Sequence, residues 1–231
     1  MTHDLHFEPA EARVLGVLIE KSLTTPDQYP LSLNGLQLGC NQKSNRDPKV
    51  EMMEGEVFSA VERLRMMRLA GRVQAAGSRV EKFAHSAGQV LSADDRELAV
   101  LAELLMRGAQ TKGELRTRAN RMQAFASQDE LAATLEALRN KGMVADLPPL
   151  AGSRAARVTE TLSKLGQASA GGVAQPVATP AAAAPVRGAP PATASSSPTE
   201  ASELEALTHR VTKLETDLAR LAAALGESLE G

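Results

Sequence analysis

The fold is decided by VFSAVERLR at residues 57–65, which returns as LAATLEALR at residues 131–139. A shift of 74 positions aligns the two stretches, with a glutamate, a leucine and an arginine identical. Each stretch is followed by the tetrapeptide Ala-Gly-Ser-Arg, at residues 76–79 and 151–154. We therefore predict a unit of about 75 residues that occurs twice. Each copy is expected to bury one apolar ridge with helical spacing: Val57, Val61 and Leu64, then Leu131, Leu135 and Leu138.

The first copy is predicted to form three helices followed by two strands. Residues 9–22 carry apolar side chains at helical spacing and begin with a proline, which suits a first helical turn. Ser32 is placed to cap a second helix, and a third is expected from Glu54 to Leu69. Residues 72–76 and 79–84 flank Gly77 and Ser78, which favours a β-hairpin after the third helix.

The second copy repeats this order. Residues 94–107 predict its first helix. The sequences Thr-Lys-Gly-Glu at residues 111–114 and Ser-Gln-Asp-Glu at residues 127–130 match the capping box, in which two side chains satisfy each other's free backbone donors. They predict the starts of the second and third helices. Residues 143–147 and 154–160 predict the closing hairpin.

The composition changes at residue 166. From there to residue 200, alanine, proline, glycine and serine dominate, and no apolar face is available for burial. This composition predicts a disordered Ala/Pro linker.

The last segment, residues 201–229, carries leucines and a valine at spacings of three and four. This is an a/d seam of about three heptads, and it predicts a coiled-coil helix that forms a homodimer. Docking of this helix on its own chain is the alternative, which the long linker disfavours. The predicted dimerisation residues are Leu204, Leu207, Val211, Leu214, Leu218, Leu221 and Leu225.

Composition and charge narrow the functional classes. With no tryptophan, one tyrosine and four phenylalanines, the core must be aliphatic, which suits small helical domains. Residues 1–165 carry 22 basic and 21 acidic residues, so this part has a net charge of only +1. A strong nucleic-acid binder usually has a basic excess, so a general affinity for phosphate is disfavoured, although a local basic patch is compatible with these numbers. The single cysteine, Cys40, lies in an apolar context and is predicted to be a small buried residue.

Targeting and enzymatic signatures are not found. The first residues contain no apolar stretch of the kind that a signal peptide needs, and no run approaches the roughly 18 apolar residues of a membrane span. We expect a cytoplasmic protein without a membrane partner. The four histidines have no metal-ligand spacing, and neither a Walker-type phosphate loop nor a Gly-x-Ser-x-Gly elbow occurs. We therefore expect no enzymatic activity, no metal and no cofactor.

Three helices followed by a β-hairpin is the order of a winged helix. In that fold the second and third helices form a helix-turn-helix, and the hairpin is the wing. The predicted fold is mainly α with small β-hairpins: winged-helix domains at residues 8–90 and 91–165, a linker at residues 166–200 and a coiled-coil helix at residues 201–229.

Two longer strings carry a family resemblance. LGVLIEKSLTTPDQYPLSLNGLQLGCNQKSNRDP at residues 15–48 and RGAQTKGELRTRANRM at residues 107–122 resemble the YceH-like family of uncharacterised bacterial proteins. The resemblance covers residues 8–165 and implies tandem winged-helix domains, with no established activity. One departure is visible, because the last hairpin of the family has an aromatic residue after its arginine, whereas Val158 follows Arg157 here.

The residue types suited to nucleic acid are basic side chains for phosphates and amides for base edges. The densest basic stretch lies in the second helix of the second copy, with smaller groups in the first copy's loop and in both wings. Surface helices carry basic residues in any soluble protein, so this pattern is only partly informative. The candidate DNA-binding residues are Lys43, Asn45, Arg46, Arg63, Arg79, Lys82, Lys112, Arg116, Arg118, Arg121, Arg154 and Arg157.

Two functions fit the sequence. The first is a DNA-binding regulatory protein with two winged-helix domains, dimerised through its C-terminal helix and bound to double-stranded DNA. The second is a protein-interaction scaffold of the same fold with little affinity for DNA. The DNA-binding function is the prediction, and the scaffold is its alternative. The third helices argue against strong reading of a DNA sequence, because they mix acids with arginines and acids facing a groove would repel phosphate.

Overall fold

The computed structural model describes residues 5–74, 80–150, 152–164 and 166–167. About half of these residues are helical, and two small antiparallel sheets accompany the helices. We call residues 5–90 the first half and residues 91–167 the second half. The rest of the predicted linker and the predicted coiled-coil helix lie outside the described residues.

The first half contains four helices and three strands. Pro26–Gln28 adds one 3-10 turn. The elements are α1 (Pro9–Thr24), β1 (Leu31–Ser32), α2 (Leu33–Cys40), α3 (Glu54–Met66), β2 (Ala70–Val73), β3 (Lys82–His85) and the short α4 (Ala87–Val90).

The second half repeats the order of α1 to β3. Its elements are α5 (Asp95–Arg107), β4 (Gln110–Thr111), α6 (Lys112–Ala119), α7 (Gln128–Asn140), β5 (Val144–Leu147) and β6 (Arg157–Glu160).

Local capping explains where several helices begin. Ser32 Oγ accepts a hydrogen bond from Gly35 N at 3.2 Å, as predicted for the start of α2. Thr111 and Glu114 form the predicted capping box of α6. The box predicted at Ser127 is only half formed.

At that site the Ser127 hydroxyl accepts from Glu130 N, whereas the Glu130 carboxylate accepts from Ala126 N at 2.7 Å instead of from Ser127 N. A single side-chain bond is sufficient to fix the first turn of α7.

The two sheets share one topology. The strand order is β1-β3-β2 in the first and β4-β6-β5 in the second, all antiparallel. Their registers also agree, because β1 pairs Leu31 with Phe83, and β4 pairs Gln110 with Val158 at the matching position. The predicted hairpins are present as β2–β3 and β5–β6, each joined by a third strand of two residues that the sequence analysis did not predict.

The repeated apolar ridge is buried, as predicted. α3 and α7 are each 13 residues long and begin 74 positions apart. Every ridge residue, from Val57, Val61 and Leu64 to Leu131, Leu135 and Leu138, is 0% exposed.

The first helices of the two halves pack against each other and make the core continuous. In α1, residues 11–20 are all buried, and so are residues 97–106 of α5. Gly16 allows the close approach, since a Cβ built there would lie 2.7 Å from Met106 Cγ. One apolar cluster spans both halves.

The two chain ends of this body are also joined. Phe7 N donates to Leu162 O at 2.8 Å, and Lys164 N donates to Phe7 O at 3.0 Å. Since Phe7 is fully buried, the start of the described chain is held against the end of the second sheet.

Candidate functional site

The outward face of α3 is the surface opposite its buried ridge. It carries Gly55, Phe58, Ser59, Glu62 and Met66, which follow from a rotation of about 100° per residue. Phe58 is 39% exposed and Met66 is 78% exposed. Apolar side chains therefore lie at the middle and at the end of this face.

The outward face of α7 occupies the matching positions in the second half. It carries Asp129, Ala132, Ala133, Glu136 and Asn140, all of them exposed. The alanine at position 132 corresponds to Phe58, and Asn140 corresponds to Met66. This face is small and acidic where the α3 face is apolar.

Each arginine of α3 and α7 has a carboxylate partner. Arg65 lies 2.5 Å from Glu62, and Arg63 lies 3.2 Å from Glu11. In α7, Arg139 Nη2 lies 2.7 Å from Asp146 Oδ1, and its Nη1 lies 3.1 Å from Glu136. The pKa of Arg139 is raised, chiefly by its hydrogen bonds to Asp146. Neither helix presents an uncompensated basic group.

The candidate DNA-binding residues of the first half are scattered. Lys43 is exposed, whereas Asn45 uses its side-chain oxygen to accept from Arg107 at 2.8 Å. Arg46 is buried, so it is not available to a phosphate. Lys82 is half-buried on β3, and Arg79 lies outside the described residues.

The basic stretch of the second half is only partly open. Lys112 is exposed, and Arg116 donates to Ala126 O at 3.2 Å. Arg118 donates to Gln110 Oε1 at 2.7 Å and lies 3.2 Å from Glu114. The predicted cluster therefore reduces to Lys112 and, in part, Arg116.

The last three candidates have three different surroundings. Arg154 is exposed in the loop before β6. Arg157 is half-buried and lines a cavity, and its Nε makes no hydrogen bond. Arg121 has a partly exposed side chain, but its guanidinium is paired with two buried carboxylates, those of Glu20 and Glu103.

An ionic cluster around these carboxylates joins the two halves. Arg46 Nη2 lies 2.5 Å from Glu20 Oε2, and these side chains are 0% and 1% exposed. Arg121, from the second half, lies 2.5 Å from the other Glu20 oxygen and 2.6 Å from Glu103. Glu103 also lies 3.3 Å from Arg107. Five charged groups are thus held together at the junction.

The electrostatics of this cluster favour ionised partners. Burial acts to raise the pKa of Glu20, but the hydrogen bonds and charges of Arg46 and Arg121 outweigh it and hold that pKa below its usual range. The Arg46 guanidinium also donates to Gly39 O at 2.8 Å and 3.0 Å. Buried charges are tolerated only with such partners.

The sequence analysis missed this cluster. Glu20 and Arg121 are 101 positions apart, so no local pattern links them. A weak indication existed in the glutamate within the apolar run of α1, since a charged residue on a buried helix face needs a partner.

A cavity of about 580 Å³ lies at the same junction. Its walls come from α1, the loop at residues 47–52, the end of α5 and strand β6. Apolar side chains such as Leu104, Leu105 and Met52 line it together with three arginines: Arg13, Arg107 and Arg157.

A family assignment follows from comparison with known proteins. The family described as "Protein of unknown function, DUF480" matches residues 7–153, which include nearly all of the first half and the second half as far as the loop before β6. The chain belongs to the DUF480 family. The predicted membership of an uncharacterised bacterial family is confirmed.

Several DUF480-like relatives carry the name UPF0502 protein. The one from Geotalea daltonii is 48% identical over 159 residues, which are 68% of this chain and 72% of the relative. The one from Rhodopirellula baltica is 49% identical over 137 residues, 59% of this chain and 57% of the relative. The one from Geotalea uraniireducens is 51% identical over 147 residues, 64% of each chain. Their names state no activity.

The remaining reactive side chains offer no further site in the part of the chain that the structure describes. Cys40 is buried as predicted, and burial raises the pKa of its thiol to about 12. Among the described residues, no group of three or more His, Cys, Asp or Glu side chains could hold a metal ion. In this part of the chain, no helix is long and apolar enough to cross a membrane.

Proposed function

We propose that this DUF480 protein is a protein-interaction module built from two winged helices, which binds a partner protein through the outward face of α3. The observation that carries the proposal is that this helix exposes apolar side chains while its arginines are neutralised by carboxylates. Phe58 and Met66 are exposed there, while Arg63 and Arg65 are paired with carboxylates.

Element order and sheet topology support the winged-helix interpretation. Each half runs helix, short strand, helix, helix, strand, strand, which is the winged-helix order. The hairpins β2–β3 and β5–β6 take the place of wings, and α3 and α7 take the place of recognition helices. The YceH-like assignment, as a finer name within this family, is part of the same proposal.

The charge distribution favours a protein partner over DNA. A recognition helix in a major groove works between two phosphate backbones and usually needs free cations. The outward face of α7 instead exposes Asp129 and Glu136. The partner that fits the α3 face presents an apolar, uncharged segment, since a charged one would lose hydration against Phe58 and Met66 without gaining an ion pair.

The distribution of exposed apolar side chains supports the choice of the first half. Of the eight large hydrophobic residues exposed in the described chain, seven lie in the first half and only Leu150 lies in the second. The greater number of exposed apolar side chains in the first half favours an interaction surface in that half.

Double-stranded DNA remains the second candidate, through the second half. Lys112 and Arg154 are exposed on α6 and in the β5–β6 loop, where they could contact phosphates without an inserted helix. This proposal predicts binding that depends on salt but not on sequence.

Dimerisation through residues 201–229 completes the proposal. Two copies joined by the heptad seam would present two α3 faces to one partner assembly, which raises the apparent affinity. Replacing Leu214 and Leu218 with glutamate should halve the mass measured by light scattering, and an unchanged mass would reject the seam.

A matched pair of substitutions tests the docking surface. Met66→Glu places a charge on the α3 face, and Asn140→Glu places it at the same position of α7. Cross-linking in the native host followed by quantitative mass spectrometry should show partners that lose at least about tenfold in yield with Met66→Glu and are retained with Asn140→Glu. Equal losses, or none, would reject the α3 surface.

A salt titration separates the protein from the DNA interpretation. We expect no measurable binding of a random duplex at about 50 mM salt, by fluorescence anisotropy of labelled DNA. Binding that weakens steeply toward about 200 mM, and that falls further with Lys112→Gln and Arg154→Gln, would favour DNA instead.

A further inference from the structure

The cavity at the junction has the size and wall composition of a small-molecule site. Its volume of about 580 Å³ lies within the range of roughly 300–1,000 Å³ that ligand pockets occupy. Its position is also typical, because sites of this kind often form where two similar units meet. Apolar side chains from Leu104, Leu105, Met52 and Val50 form much of its lining.

Two arginines in the wall have a buried donor without an acceptor. The Nε atoms of Arg13 and Arg157 are buried and make no hydrogen bond, whereas the buried Nε of Arg107 lies 3.3 Å from Glu103 Oε2 in an ion pair. Buried donors in native proteins are nearly always satisfied, so two unsatisfied ones around one cavity need an explanation. An acceptor-rich ligand provides it.

The three arginines differ in the hydrogen bonds and ion pairs that their guanidinium groups already make. Arg13 donates to two main-chain oxygens, of Cys40 at 3.3 Å and Pro48 at 2.7 Å. Arg107 donates to Asn45 and lies near Glu103. Arg157 makes no ion pair or side-chain hydrogen bond with any residue in the described part of the chain, so its guanidinium is the one free to receive an anionic oxygen.

Among the described residues, none of the acidic residues of the wall forms an ion pair with these arginines. Glu160 is buried and accepts hydrogen bonds from Leu162 N, Ser163 N and Ser163 Oγ, and burial raises its pKa. Glu56 is engaged with Met53 N at 2.7 Å. Asp47 and Glu51 are exposed at the rim.

The surroundings of Arg13 disfavour its charge. Burial lowers the pKa of Arg13 and the nearby Arg46 lowers it further, while the charges of Asp47 and Glu20 act against this lowering. A carboxylate or phosphate brought beside Arg13 and Arg157 would offset both effects.

We propose that this cavity binds a small organic anion, with its carboxylate or phosphate group on Arg157 and its apolar body against Leu104, Leu105 and Met52. Because the cavity is walled by both halves, such a ligand would bind only when they are docked as seen here. A bound ligand would therefore stabilise the joined state of the molecule.

Four probes of matched size test this site in the full chain. Hexanoate and hexyl phosphate carry an apolar body and an anionic head, 1-hexanol lacks the charge, and inorganic phosphate lacks the body. The readout is the methyl resonance of Met52, which lines the cavity, against that of Met66, which lies on the outward face of α3.

We expect one or both of the amphipathic anions to shift the Met52 resonance saturably, and to bind at least about tenfold more tightly than 1-hexanol or inorganic phosphate, as one charge-assisted hydrogen bond implies. The ratio between hexanoate and hexyl phosphate identifies the head group. The proposal would be overturned if 1-hexanol or inorganic phosphate bound as tightly as the amphipathic anions. It would also be overturned if no probe shifted the Met52 resonance.

Arg157→Gln supplies the second test, with Arg154→Gln as its control. Arg154 lies three residues earlier in the same hairpin and is exposed. Arg157→Gln should weaken the binding of the amphipathic anions about tenfold and leave the affinity for 1-hexanol unchanged. Arg154→Gln should change neither affinity. Unaltered affinity in a folded Arg157→Gln variant would contradict the site, and if that variant does not fold, the comparison of probes on the native chain decides alone.

Discussion

The two halves of the molecule share one order of elements and one sheet topology but have very different surfaces. Element order, strand order and register agree, and α3 and α7 bury equivalent ridges. Outside the core the resemblance ends, because the first half exposes Phe58 and Met66 where the second half has Ala132 and Asn140. Packing requirements hold the buried positions to one pattern, whereas the exposed positions are free to differ in function.

A second contrast lies in the ion pairs. The pairs on α3 and α7 are at least partly exposed, and such pairs contribute little to stability. The cluster of Glu20, Arg46 and Arg121 is largely buried and connects the halves, so its members cannot be removed singly without leaving a charge unpaired. We therefore expect the ion pairs of the junction to be more sensitive to substitution than those on α3 and α7.

The largest effect is expected from Glu20→Ala. It leaves Arg46 without a carboxylate in the interior, and we expect a loss of about 3–5 kcal/mol in the free energy of unfolding, measured by urea denaturation. The matched control is Glu136→Ala, which removes an exposed partner of Arg139 and should cost less than about 1 kcal/mol. Equal costs for the two would show that the junction is no more important than the surface.

The next largest loss of stability is expected from substitutions in the two buried ridges, which can be compared directly. Leu64→Ala and Leu138→Ala each delete a fully buried side chain and should each cost about 3 kcal/mol, within the range of 2–5 kcal/mol for such cavities. Both substitutions should lower the midpoint of one shared unfolding transition, measured by circular dichroism, because a single apolar cluster spans the halves.

Two separate transitions, each shifted by only one of these substitutions, would mean that the halves unfold independently. Met66→Ala serves as the control, since a side chain that is 78% exposed should contribute less than about 0.5 kcal/mol.

The sequence was sufficient to predict the features that depend on interactions between residues close together in the chain. Helix starts at Ser32 and Thr111 follow from capping, and the ridges of α3 and α7 follow from helical periodicity. The strands Leu31–Ser32 and Gln110–Thr111 could not be predicted, because two residues are too few to show alternation.

The site was less predictable than the fold, for a physical reason. Arg46 and Arg121 look like free surface cations in the sequence, and only the structure shows that both pair with Glu20, which lies 26 and 101 positions away from them. The cavity likewise forms from segments that are distant along the chain. Long-range pairing leaves no periodic pattern in one sequence.

A smaller effect tests the contact between α1 and α5. Gly16→Ala would place a Cβ 2.7 Å from Met106 Cγ, so we expect a loss of about 1–3 kcal/mol in the free energy of unfolding by urea denaturation. Gly113→Ala in α6 is the control, because nothing lies within 4 Å of its added Cβ, and it should stabilise by about 0.4–1 kcal/mol. Tolerance of both substitutions would mean that the helices have room to separate.

The smallest loss of stability is expected from removing the equivalent N-terminal caps of α2 and α6. Ser32→Ala and Thr111→Ala each remove a hydroxyl that accepts from the backbone amide three residues later, at 3.2 Å and 3.3 Å, so each should cost about 1 kcal/mol by thermal unfolding. In α6 the Glu114 carboxylate still accepts from residue 111 N after the change, so the α6 substitution should be the milder of the two. The reverse order would show that the caps, unlike the ridges, are not equivalent, since α2 would then owe its first turn to the neighbouring core and not to Ser32.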